Sequence, residues 1–115
     1  MDTPWAVTSE KIRQAVERIV TLRHPSRIIV FGSVVSGRMD RHSDVDLLVV
    51  TKEELDSQRA ESVRLRRALR GISMPMDILV ISERQLREVA DRPGLIYREA
   101  LRHGKVLYAE QEAIR

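Results

Sequence analysis

Two aspartates one residue apart, Asp44 and Asp46, open the apolar run that continues Leu47-Leu48-Val49-Val50, and a glycine-serine pair, Gly32-Ser33, closes the apolar run before it. On an extended strand side chains alternate faces. Asp44 and Asp46 therefore project the same way and Val45 the other, with about 6.6 to 7 Å between alternate residues. Like charges that close repel unless a proton or a cation lies between them, and carboxylate oxygens are what hard Mg2+ selects. The pair thus reads as a metal seat. Gly32 lets a backbone approach a phosphate closely, and Ser33 offers a hydroxyl as well as its N–H. A third acid, Asp77, opens the run Ile78-Leu79-Val80-Ile81, where a charge is unfavourable without a partner. If that strand lies beside the one bearing Asp46, three carboxylates meet. The chemistry is that of a phosphate chain held against a divalent cation.

Each of these residues also has a plainer use. A Ser-Asp pair ahead of a strand caps a turn, Gly32 makes a tight corner, and Asp77 serves as a turn residue at a strand entrance. Gly32 and Gly37 have the spacing of the first two glycines in a G-x-x-x-x-G-K-[ST] phosphate loop. Arg38 and Met39 follow, however, so the phosphate-reaching lysine and the Mg2+-holding hydroxyl are both missing and that loop is excluded.

The elements that must position these residues follow from periodicity and punctuation. Thr8 or Ser9 caps a helix whose apolar residues Ile12, Ala15, Val16, Ile19 and Val20 recur at helical spacing, and which stops near His24-Pro25. Arg27 to Phe31 is a β-branched run too short for a helix, hence a strand; Val45 to Val50, Met76 to Ile81 and Lys105 to Tyr108 read likewise. Val34 to Met39 is expected as a short helix whose positive end faces the Gly-Ser turn. A helix runs from the polar stretch Thr51 to Asp56 to about Arg70, with Leu65, Ala68, Leu69 and Ile72 inward and Gly71 as its left-handed stop. Its arginines, Arg59, Arg64, Arg66, Arg67 and Arg70, read as a solubilising face or as a docking face for an acidic partner or RNA. Ser82 with Gln85, and Ile81 with Leu86, form a capping box and staple that begin a helix ending near Asp91. Leu95 to His103 is the last helix, with Gly104 as its stop. Strands separated by helices predict one α/β domain over residues 1–115, a sheet packed against helices.

Composition narrows the classes. At 115 residues, 43% hydrophobic and 32% charged, the chain suits one domain with a single core. No apolar run reaches the ~18 residues of a membrane span, and the first 22 residues lack a signal-peptide layout, so no membrane partner and a cytoplasmic location are expected. Cysteine is absent, which excludes disulfides and thiolate zinc sites. A formal net charge of +3 permits contact with nucleic acid or an acidic protein without choosing between them.

Gly32-Ser33, Gly37 and Ser43-Asp44-Val45-Asp46, followed by Asp77 and the stretch Tyr97-Arg98-Glu99-Ala100-Leu101-Arg102-His103-Gly104-Lys105-Val106-Leu107-Tyr108, resemble the minimal nucleotidyltransferases of the DNA polymerase beta-like superfamily. The resemblance implies a mixed sheet and in-line attack of a hydroxyl on the α-phosphate of a nucleoside triphosphate, most simply ATP, with release of pyrophosphate. It implies that Asp44, Asp46 and Asp77 hold Mg2+ in a two-metal site, and that Gly32 and Ser33, with Ser43 a weaker contributor, hold the triphosphate. Relatives this small often act as antitoxins that bind, and in some pairs adenylylate, a helical HEPN-domain ribonuclease toxin. A HEPN toxin in a homo- or hetero-oligomer is therefore the implied partner. A masking antitoxin without catalysis, and transfer to RNA or a small molecule, are the competing implications.

Overall fold

The computed structural model describes residues 7–32 and 45–110. Helix α1 spans Ser9–Arg23, β1 Arg27–Phe31, β2 Val45–Thr51, α2 Gln58–Ala68, β3 Met76–Ser82, α3 Glu83–Val89, α4 Ile96–His103 and β4 Lys105–Ala109. The four strands form one mixed sheet in the order β3-β2-β1-β4, with β2 and β3 parallel and the other neighbours antiparallel. Parallel neighbours need a crossover between them, and α2 supplies it.

Both faces of the sheet are covered. One face buries Ile28, Val30, Val45, Leu47, Val49, Ile78 and Val80 against Ala15 and Ile19 of α1 and Leu65 of α2. The other buries Ile29, Phe31, Leu48, Val50 and Ile81 against Leu86 of α3 and Ala100 of α4. A strand buried on both faces reads as a continuous apolar run rather than an alternating one, which is why β2 is Val-Asp-Leu-Leu-Val-Val-Thr. Each large aliphatic side chain enclosed in this way contributes about 1.5 to 3 kcal/mol.

Local chemistry sets the helix ends. The Thr8 side chain accepts from the Lys11 N–H at 3.1 Å, and α1 closes on His24 in the left-handed region, just before Pro25. Ser57 and Ser82 cap α2 and α3 in the same way as Thr8, each accepting from an N–H three residues on. Helix α2 ends at Ala68, earlier than the expected Arg70, because Leu69 and Arg70 close three-residue turns before the left-handed Gly71. Helix α3 is similarly short, ending at Val89 rather than near Asp91.

Gly104 ends α4 as its position suggests, and it serves a second purpose as well. Its φ is −77°, so no left-handed stop is involved. A Cβ there would collide with the Ala100 carbonyl oxygen and lie 2.6 Å from Ile29 Cγ2 and 2.9 Å from the Val30 carbonyl oxygen. Only a residue without a side chain lets the chain turn from α4 into β4 this close to β1. The two edges of the sheet also differ. On β3, the Ile78 and Val80 carbonyls accept from Ser62 and from Gln58, the latter at 2.8 Å, so α2 caps that edge with its own side chains.

Candidate functional site

Pairing of the strands places the acidic residues. In the β1–β2 register Phe31 stands opposite Asp46, and in the β2–β3 register Asp46 stands beside Asp77. One row across the sheet therefore reads Phe31, Asp46, Asp77. Side chains in register on neighbouring strands share a face, and neighbouring strands lie about 4.8 Å apart. The two acids therefore stand side by side on one face of the sheet.

They belong to the face that carries Leu48, Leu79 and Ile81, at the end where β2 and β3 begin, opposite the end from which α3 departs. Asp46 is half-buried and Asp77 exposed. Gly32, immediately after Phe31, completes the corner. Its φ of +88° favours glycine, and a Cβ would collide with Asp46 Oδ2 while lying 3.4 Å from its Cγ. Glycine is therefore required twice, by the backbone and by the carboxylate that packs against it.

Of the residues the sequence singles out, Gly32, Asp46 and Asp77 are brought together. Ser33, Ser43 and Asp44, and the helix expected over Val34 to Met39, lie outside the described residues. Among the described residues no group of three acids, histidines or cysteines is close enough to hold a metal. The donor set of Asp46 and Asp77 is nevertheless all carboxylate oxygen, which suits a hard divalent ion such as Mg2+ and not a soft one.

One neighbour of the site was hidden in the arginine-rich sequence. Arg66 Nη2 lies 3.5 Å from Asp77 Oδ1, with both side chains exposed. A crossover helix runs antiparallel to the strands it joins, so the last turn of α2 returns to the start of β3. That geometry was the available signal for Arg66. Being solvated, the pair is weak, on the order of 1 kcal/mol or less, and an ion that binds Asp77 displaces it easily.

At the far end of the same strands the polar residues are enclosed. Thr51 and Ser82, also in register, are 1% and 0% exposed. Thr51 Oγ1 donates to the Glu53 carbonyl at 2.8 Å, and Ser82 Oγ accepts from the Gln85 N–H and donates towards Glu54. Arg84 grips Glu54 through two contacts of 3.0 Å. The hydrogen bond from Arg84 above all holds the Glu54 carboxyl below its ordinary pKa, against the opposing effect of desolvation.

The family model described as polymerase beta nucleotidyltransferase matches residues 10–113. A candidate nucleotidyltransferase from Sulfolobus solfataricus has a similar structure, with a TM-score of 0.63, 19% identity, and coverage of 87% of this chain and 78% of that one. A toxin–antitoxin complex crystallised with AMP-PNP contains a second, with a TM-score of 0.54, 22% identity, and coverage of 91% and 76%. No curated protein matches the chain. At these identities the two structures speak for the fold.

Proposed function

The chain belongs to the polymerase beta nucleotidyltransferase family, and from that premise we propose that it transfers a nucleoside monophosphate, AMP from ATP, to a hydroxyl on a partner protein. The observation that carries this reading is the in-register Asp46–Asp77 pair beside the glycine corner at Gly32. Two carboxylates in register at the heads of neighbouring strands are the donor set that a hard divalent cation favours.

Asp46 and Asp77, with Asp44, are the residues that would hold Mg2+. When bound, the metal supplies neutralisation of the triphosphate and a lowered pKa for the attacking hydroxyl. This chain's own residues provide the rest by position. Gly32 leaves the backbone open to the β- and γ-phosphates, with Ser33 and, more weakly, Ser43 as further donors. The row Asp46–Asp77 fixes where the α-phosphate and the acceptor oxygen must meet. A bond forms between that oxygen and the α-phosphorus, the bond to the β-phosphate bridging oxygen breaks, and pyrophosphate leaves. Such positioning with charge neutralisation is most of what phosphoryl-type transfer asks of a protein.

The acceptor we propose is a tyrosine of a HEPN ribonuclease toxin, with this chain as the antitoxin. The likeness to a toxin–antitoxin structure supports it. One contact favours a second reading. Arg66 already neutralises Asp77, as it would in an antitoxin that masks its toxin without chemistry. Incubation with α-labelled ATP, Mg2+ and a HEPN protein separates the two. Label on the toxin, lost in Asp46→Asn, is the expected result. Neutralisation of the toxin without label, unaffected by Asp46→Asn, would establish masking, and label on added RNA would move the acceptor class to nucleic acid.

A further inference from the structure

One surface arginine on α1 and one on α3 are each held between two glutamates. Arg13 is held between Glu10 and Glu17, and Arg84 between Glu54 and Glu88. Helix α2 and the turn after it differ. They carry five arginines, Arg59, Arg64, Arg66, Arg67 and Arg70, against one glutamate, Glu61, which also takes Arg23. The formal net charge of the whole chain is only +3, so its positive excess is concentrated on this one helix.

At 3.6 residues per turn, Arg59, Val63 and Arg66 fall on one stripe. Arg59, Val63, Arg64 and Arg67 also line a shallow depression of about 640 Å3, and Val63 is 43% exposed at its centre. We propose that this face of α2 docks an acidic, partly apolar surface of a partner protein. Charge complementarity selects the sign. The use of arginine without a single lysine on the helix selects carboxylates gripped by planar forks. Arginine is enriched and lysine depleted at protein interfaces, and an apolar residue ringed by such side chains makes a centre from which water is excluded. A single-stranded nucleic acid would instead call for aromatic platforms, and α2 has none.

The stripe leads to the acidic site, since Arg66 at its C-terminal end reaches Asp77. A protein seated on it lies beside the carboxylate row. This inference rests on the proposed transfer reaction only for the purpose of the docking, delivery of an acceptor; the contact itself is independent of it.

The test uses a fluorophore-labelled amphipathic helical peptide with leucines on one face flanked by glutamates. Polyglutamate of equal charge and a polyuridylate strand serve as comparisons, all at about 0.15 M salt, where interactions between distant exposed charges are screened. The full chain binds the peptide saturably and more tightly than either comparison. Arg59→Glu with Arg67→Glu weakens binding by roughly tenfold or more. Arg92→Glu with Arg102→Glu, the same change of net charge elsewhere on the surface, leaves it within about twofold. Val63→Ser weakens it while changing no charge. Should the charge-reversed α2 variant fail to fold, Arg59→Gln with Arg67→Gln gives the same direction with a smaller loss. Asp46→Asn leaves peptide binding intact, so failure of the transfer reaction and failure of this surface are told apart. Absence of saturable binding, equal weakening in both charge-reversed variants, or tighter binding of polyuridylate with indifference to Val63→Ser would each overturn the proposal.

Discussion

The parallel pair β2–β3 carries a polar row at each end, Asp46 beside Asp77 where the strands begin and Thr51 beside Ser82 where they finish, with apolar rows between. The two rows are built alike and used differently. At the Thr51–Ser82 end both side chains are enclosed; Thr51 bonds into the turn that leaves β2, and Ser82 caps α3. Those groups serve the fold. At the Asp46–Asp77 end two like charges stand side by side, one of them exposed and met by a solvated arginine. The enclosed row is structural; the other is the row we propose as the seat of a divalent cation.

The contrast predicts opposite consequences for the two ends. Asp46→Asn should lower nucleotidyl transfer by about a thousandfold or more, since it removes charge from the reacting centre. Asp77→Asn should behave similarly in transfer while changing unfolding free energy by no more than about 1 kcal/mol, because the Arg66 pair it loses is exposed. Label transfer and urea unfolding of the same preparations check both. Loss of transfer in Ser82→Ala as deep as that in Asp77→Asn would erase the distinction.

Gly32→Ala comes next. The left-handed φ costs about 1 to 2 kcal/mol and the added methyl displaces Asp46 Oδ2, so both stability and ATP binding should fall. Urea unfolding and nucleotide titration read the two losses separately.

At the enclosed end, Ser82→Ala should destabilise by about 1 kcal/mol through loss of the cap and leave transfer unchanged. The smallest effect belongs to Arg66→Ala, which relieves Asp77 of its competing cation. Affinity for Mn2+ without nucleotide should rise by no more than about fivefold, as the strength of an exposed pair allows. Paramagnetic relaxation of water protons measures it.

Much of this was legible before the fold was known. The four strands announce themselves as β-branched runs bounded by glycine, proline or capping residues, and Thr8 and Ser82 cap the helices that their positions predict. Gly32, Asp46 and Asp77 were identifiable because a charge at the head of an apolar strand, or a glycine at its tail, conflicts with its surroundings. The pairing of Asp46 with Asp77 was not readable, since register is decided by tertiary contacts and local pattern leaves it open. Arg66 was lost among its neighbours because its meaning comes from the antiparallel return of α2. Gly104 stops α4 as its position predicts, but its close approach to β1 had no signal of its own, because a helix stop and a close approach call for the same residue. The capping of the β3 edge by Gln58 and Ser62 had no local signature at all.

The proposed site at Asp46 and Asp77 seats a divalent ion together with a triphosphate. Calorimetric titration of ATP into the protein, with and without Mg2+, tests it most directly. Saturable binding that requires Mg2+ and disappears in Asp46→Asn with Asp77→Asn is the predicted result; ATP binding indifferent to the metal or to both substitutions, or no binding under any of these conditions, would contradict it.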